Sequence, residues 1–162
     1  MMRVVIDTNV FIHGLFTQGQ NFMDQACKNI IQAIRRDHIR VVGNEAIISE
    51  YVWMILGRLY QVKRNLLDIQ AIYFPAIVKV LSTIEKVPHE TTIPDSWIKD
   101  SDDKMFLECA ADGKVNIIVS EDRSLLDFEK TNMSLENSDA LSFLRTNNIS
   151  VLSPVEFERR YL

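Results

Sequence analysis

Short, nearly continuous apolar runs alternate along this chain with longer segments whose apolar residues recur every three or four positions, and this alternation constrains the fold more than any other feature. The runs Arg3 to Ile6, Ile39 to Val42, Val115 to Val119 and Ile149 to Leu152 read as strands, with a weaker one at Ile84 to Val87. Between them, Met23, Ala26, Cys27, Ile30, Ile31 and Ile34 form one helical stripe, and Ile48, Tyr51, Val52, Ile55, Leu56 and Leu59 form another. Leu66, Ile69, Tyr73, Ile77, Val80 and Ile84 continue the pattern, with Pro75 expected to kink or split that helix. Met105, Phe106, Cys109 and Ala110 form a shorter helix stopped by Gly113, and Ser153-Pro154-Val155-Glu156 opens the last one as a capping box with Pro at its first position. Apolar strands alternating with helices imply βαβ crossovers. The expected fold is therefore a three-layer α/β/α domain with a central, mainly parallel sheet. With only 5 Gly and 4 Pro and no repeat or linker, residues 1–162 read as a single domain.

Other classes fit poorly. A 162-residue chain that is 47% hydrophobic and 25% charged is neither disordered nor in need of a disulfide scaffold. Cys27 and Cys109 stand in apolar helical patterns without a CxxC pair, which points to core packing and a reducing compartment. The N-terminal apolar run is interrupted by Asp7, Thr8 and Asn9, unlike a signal sequence, and no stretch approaches the roughly 20 apolar residues of a membrane helix. A soluble, cytoplasmic protein is expected. The net charge of -4 gives no nonspecific nucleic-acid coat, but an acidic nuclease can carry a local basic rim.

In parallel sheets chemistry gathers beyond the carboxyl ends of the strands, and acids stand at those places. Asp7 follows the first strand and Asp122 follows Val119 by a short turn. Asp103 opens a helix, facing the positive end of its dipole, and Glu50 lies off the apolar stripe of its own helix. Carboxylates sharing a small volume repel one another. All-oxygen donors suit a hard cation, Mg²⁺ or Mn²⁺, which relieves that repulsion, acidifies a bound water and polarises a phosphoryl group. Each acid also has a plain reading. Asp-Thr-Asn can be a helix cap, and Glu50 a solvated helix residue one turn after Glu45. Asp100, Asp102 and Asp103 can form an acidic loop with a capping Asp, and Asp122 can be a turn residue beside Glu121 and Asp127.

The segment Ile6-Asp7-Thr8-Asn9-Val10 resembles the opening motif of PIN-domain ribonucleases. Ile48-Ser49-Glu50-Tyr51 is similar to the second acidic position of that family, Asp103 to Ala110 to the third, Val119 to Leu126 to the fourth, and Val151 to Phe157 to its usual ending. The resemblance implies a Mg²⁺- or Mn²⁺-dependent endonuclease that cleaves single-stranded RNA to leave a 5′-phosphate and a 3′-hydroxyl. It implies Asp7, Glu50, Asp103 and Asp122 as the metal-binding, catalytic acids, Thr8 and Asn9 as residues that orient the first of them, and Ser120 as a hydrogen-bonding neighbour. It also implies the toxin of a toxin-antitoxin pair, homodimeric and restrained by a small antitoxin; whether apolar surface near the helices from Tyr60 to Ile84 forms a dimer seam is left to the structure.

Lys104 and Arg123, next to proposed ligands, are the expected phosphate contacts. Arg35, Arg36 and Arg40, and Arg58, Lys63 and Arg64, read as solvated faces, and Trp97 and Phe16 as packing residues rather than base-stacking platforms. His13, His38 and His89 form no recognisable constellation. Two other functions compete. A dehalogenase-like phosphatase needs a second Asp two positions after the first, where this chain has Asn9. A catalytically inactive PIN-like module that binds RNA or protein would have lost one of the acids or have its groove occluded, and the presence of all four acids argues against it.

Overall fold

The computed structural model describes residues 1–17, 20–61, 73–98, 100–126 and 138–162. Its strands are β1 (Met2–Ile6), β2 (Ile39–Gly43), β3 (Glu85–Lys86), β4 (Ile117–Val119) and β5 (Ser150–Leu152). They form one sheet in the order β3-β2-β1-β4-β5, every pairing parallel. The helices are α1 (Thr8–Phe16), α2 (Phe22–Arg35), α3 (Glu45–Gln61), α4 (Phe74–Ser82), α5 (Lys104–Asp112), α6 (Arg123–Leu126), α7 (Ser138–Thr146) and α8 (Pro154–Tyr161). Two 3-10 turns, Asp95–Trp97 and Ser101–Asp103, precede α5. Helices flank the sheet, giving the three-layer α/β/α arrangement. Val4, Val5, Ile6, Val41, Val42, Ile118 and Val119 are fully buried at its centre, as strands covered on both faces must be. No helix among the described residues is long and apolar enough to cross a membrane.

Three helix-to-strand turns share one solution. Asp37, Lys114 and Asn148 adopt positive φ (58°, 51° and 53°) directly after α2, α5 and α7. The N–H of the following residue reaches back in each: His38 to Ala33 O (2.9 Å), Val115 to Ala110 O (2.8 Å) and Ile149 to Leu144 O (2.8 Å). These are the six-to-one bonds that satisfy the last carbonyls of a helix and turn the chain into the next strand. Gly113 ends α5 as expected, but the left-handed residue is Lys114. Gly113 is needed for space, because a Cβ there would meet Val42 Cγ1 at 2.9 Å and Cys109 O at 3.0 Å.

Elsewhere the helical pattern is met with shifts. Pro75 lies in the first turn of α4, where its missing N–H costs nothing; Leu66 and Ile69, the other half of the expected helix, lie outside the described residues. In α3 the buried stripe is Ile47, Tyr51 and Ile55, whereas Val52 and Leu56 of the expected stripe are exposed. The rotation is set at the start of the helix. Asn44, fully buried at the end of β2, caps it by accepting the Ile47 N–H at 3.0 Å on Oδ1. The Ser153–Glu156 capping box forms at α8 as read from the sequence. Trp97 packs edge-on against Phe143 of α7, and Phe16 stacks on Tyr73.

Candidate functional site

β1 is the first strand of the sheet and has β2 on one side and β4 on the other, so the direction of chain winding reverses between β1 and β4. The crevice beyond the carboxyl ends of these two strands is where open α/β sheets bind ligands. Asp7 and Ser120 are the first residues past those ends. The Asp7 N–H donates to Val119 O at 2.8 Å and ties the two strand ends together. Ile6, the last residue of β1, has its carbonyl held by the hydroxyl of fully buried Tyr51 from α3.

Three of the four acids are joined through two serines. Asp7 is 4% exposed and caps α1, accepting the Asn9 N–H on Oδ1 at 3.0 Å. Its other oxygen, Oδ2, accepts from the Ser120 hydroxyl at 2.5 Å, and Ser120 Oγ accepts the Asp122 N–H at 2.9 Å. Asp122 Oδ1 in turn accepts the Ser124 N–H at 2.7 Å, and the Ser124 hydroxyl donates to Asp103 Oδ2. The helix-cap reading of Asp7 is thus correct and compatible with a site, because one oxygen caps while the other is bonded to Ser120. Asp103 does not cap α5 with its side chain. The sequence pattern missed Ser124, whose only signal is its place two residues beyond Asp122 in a turn.

Glu50 joins from α3. It follows Ile47 by three positions and so flanks the buried stripe, half-buried, whereas Glu45 is exposed in the first turn. Burial pushes the Glu50 carboxyl up, closeness to Thr8 offsets this in part, and the Asp7 and Asp102 carboxylates push it further. Thr8 Oγ1 is buried and has no partner in hydrogen-bond geometry among the described residues. Asn9 holds Asp7 through its backbone N–H, and Thr8 faces Glu50, so the two expected orienting residues act on different acids.

The electrostatics are those of a charge-crowded crevice. Burial raises the Asp7 carboxyl, the bonds from Ser120 and Asn9 lower it, and Asp122 and Glu121 raise it again. Asp103 is pushed up to about 6, chiefly by burial, with the Ser124 bond opposing and Asp122, Asp7 and Asp100 adding to the rise. Among the described residues no three of these carboxylates bring oxygens within 4.8 Å of one another. Donors so spaced suit a hydrated hard cation, which takes one or two carboxylates directly and meets the rest through its own waters. The oxygen-only donor set and the orphaned Thr8 hydroxyl fit that group, with Asp7, Glu50, Asp103 and Asp122 as the residues that would hold it.

The rim differs from expectation in two places. The Lys104 ammonium is paired with Asp95 at the surface, while Arg123 is exposed and lines a cleft of about 530 Å³ with Asn9, His13, Glu121 and Asp122. The histidines are not isolated either. His89 Nε2 bonds buried Glu108 at 3.0 Å, and His13 Nδ1 lies 2.8 Å from both Glu121 oxygens, with the Cys27 thiol 3.1 Å from Oε1 of the same carboxylate. Sequence separation hid both contacts, since the partners come from different elements.

A parallel sheet with acids crowded at its switch point defines an α/β domain with a carboxylate-lined crevice. The PIN domain family model matches residues 3–124, from β1 into α6, and the chain belongs to that family. PIN domains are generally nucleases and typically bind divalent metals. The comparison with curated proteins found no match to the chain.

Proposed function

We propose that the protein is a Mg²⁺- or Mn²⁺-dependent endoribonuclease that cleaves single-stranded RNA, leaving a 5′-phosphate and a 3′-hydroxyl. The observation that carries this reading is the serine-linked set of Asp7, Asp122 and Asp103 at the switch point, with Glu50 coupled to it from α3. When bound, the cation supplies an acidified water and a polarised phosphoryl group. The chain's own part is positional. Ser120 and Ser124 fix three carboxylates before any ligand arrives, and Asn9 N–H keeps Asp7 from rotating. Arg123, exposed on the cleft and without an ion pair among the described residues, meets RNA phosphates. Lys104, pinned by Asp95 beside Asp103, adds positive charge at the same edge.

The test is incubation of the purified chain with single-stranded RNA and Mn²⁺. Cleavage that disappears in Asp7→Asn and in EDTA is expected. A folded wild-type protein that cuts nothing points instead to the inactive RNA- or protein-binding module, and cleavage that survives both treatments removes the metal mechanism. The biological part of the reading, a cytoplasmic homodimeric toxin restrained by a small antitoxin, rests on the family resemblance. Induced expression of the active chain should arrest growth and the Asp7→Asn chain should not; unaffected growth with active protein overturns the toxin role.

A further inference from the structure

His13, Cys27 and Glu121 are the one group of three potential metal ligands among the described residues whose donor atoms all lie within 4.8 Å of one another. They come from α1, α2 and the turn after β4, and the helix packing brings them together. Gly14 permits it, because a Cβ there would meet Ile31 Cγ1 at 2.4 Å and Cys27 O at 2.6 Å, so only glycine lets α1 lie this close to α2. The residue beside it, His13, is thereby held above Cys27. Glu121 stands between them, 2.8 Å from His13 Nδ1 and 3.1 Å from Cys27 Sγ. Cys27 is fully buried, the Glu121 side chain is 15% exposed and His13 is 44% exposed, so the group has a dry floor and an open top. The open side is the cleft shared with Asn9, Asp122 and Arg123.

One imidazole nitrogen, one sulfur and one carboxylate oxygen make a donor set unlike the oxygen-only crevice beside it. Hard Mg²⁺ disfavours nitrogen and sulfur, whereas Zn²⁺ accepts all three donor types, commonly with three protein ligands and an open fourth position. Tetrahedral bonds of about 2.0–2.3 Å put such donors roughly 3.5 Å apart, so Glu121 needs to draw back from His13 and Cys27 by about 0.4–0.7 Å. We propose that His13, Cys27 and Glu121 form a second, Zn²⁺-class metal site in the wall of the cleft, with its fourth position open to water or to a substrate phosphate oxygen. On binding, the sulfur–metal bond replaces the thiol's hydrogen bond to Glu121, and the thiol proton passes to solvent. The site stands whether or not the neighbouring acids cut RNA.

The test is a titration of the full chain with Co²⁺, the spectroscopic stand-in for Zn²⁺, in millimolar Mg²⁺ that saturates hard-cation sites. One equivalent should produce a sulfur-to-cobalt charge-transfer band in the near ultraviolet, displaced by Zn²⁺. The band should vanish in Cys27→Ser and persist in Asp103→Asn. His13→Gln, at a half-exposed position that tolerates the change, should weaken binding by at least the 10- to 100-fold that loss of an outer-shell partner costs. Absence of the band in wild-type protein, or its survival at unchanged affinity in His13→Gln, overturns the proposal. Cleavage of RNA by Asp103→Asn, or its absence in wild type, bears only on the reading of the acids.

Discussion

The Ser120 hydroxyl donates to Asp7 Oδ2 across 2.5 Å while its oxygen accepts the Asp122 N–H at 2.9 Å. One fully buried side chain thus ties the acid after β1 to the acid after β4. Without it, Asp7 and the neighbouring carboxylate that raises its proton affinity would be held only by their own turns.

Ser120→Ala should therefore loosen the site without removing an acid. The hydroxyl lowers the Asp7 carboxyl, so its loss favours the protonated form and weakens Mn²⁺ binding by about 10- to 100-fold. It also strands a buried acceptor, costing about 1–3 kcal/mol of stability. Calorimetric Mn²⁺ titration and thermal unfolding check both; wild-type affinity in the variant would remove the positioning role.

The pH dependence follows from Asp103. Its carboxyl rises from 3.8 to about 6 on folding, so between these values the folded chain holds the proton more tightly than the unfolded chain. The contribution to stability is then full below about pH 4 and is lost as the pH rises through about 6. At about 1.4 kcal/mol per pKa unit the ceiling is about 3 kcal/mol, and water in the crevice reduces it to roughly 1–2 kcal/mol. Thermal unfolding in EDTA from pH 4 to 7 should show wild type losing stability relative to Asp103→Asn as the pH rises. A difference that stays flat, or runs the other way, contradicts the assignment. With Mn²⁺ present the dependence inverts, because the cation needs the carboxylate, and affinity should fall about tenfold per unit below pH 6.

Tyr51→Phe removes the hydroxyl that reaches the Ile6 carbonyl at the mouth of the site. The ring should keep its stacking on Phe11, 4.3 Å between centroids, so the cost is that of one buried unpaired carbonyl, about 1–3 kcal/mol. Because Ile6 precedes Asp7, RNA cleavage should fall as well. A change in stability of less than a few tenths of a kcal/mol would show that the bond carries little.

Gly14→Ala places a methyl group 2.6 Å from the backbone oxygen of Cys27, which cannot swing aside. Overpacking of this kind costs about 2 kcal/mol, a melting temperature lower by roughly 4–8 °C. An unchanged melting temperature would mean that α1 and α2 separate freely.

Much of the fold is legible in the residues because it depends on local pattern. Val4, Val5 and Ile6 can only be a strand buried on both faces, and the Ser153–Glu156 capping box announces α8 by chemistry confined to four neighbours. The stripe of α3 was misplaced because its rotation is set from outside the helix, by buried Asn44. The acids were legible as strand-end and helix-start residues. Which oxygens they share with Ser120 and Ser124 was not, since a hydroxyl in a turn looks alike whether it faces water or a carboxylate.

Order along the chain, apolar periodicity and the Asp-Thr-Asn turn determined the parallel sheet and put acids at its strand ends, because each is a short-range property that one segment carries alone; the choice among those acids came from the family resemblance. The tertiary structure decided that Glu50 rather than Glu45 joins them, that Lys104 is tied to Asp95 while Arg123 is not, and that His13, Cys27 and Glu121 meet. Those outcomes depend on how closely α1 approaches α2 and where β4 delivers its turn, distances fixed by packing between segments far apart in the chain.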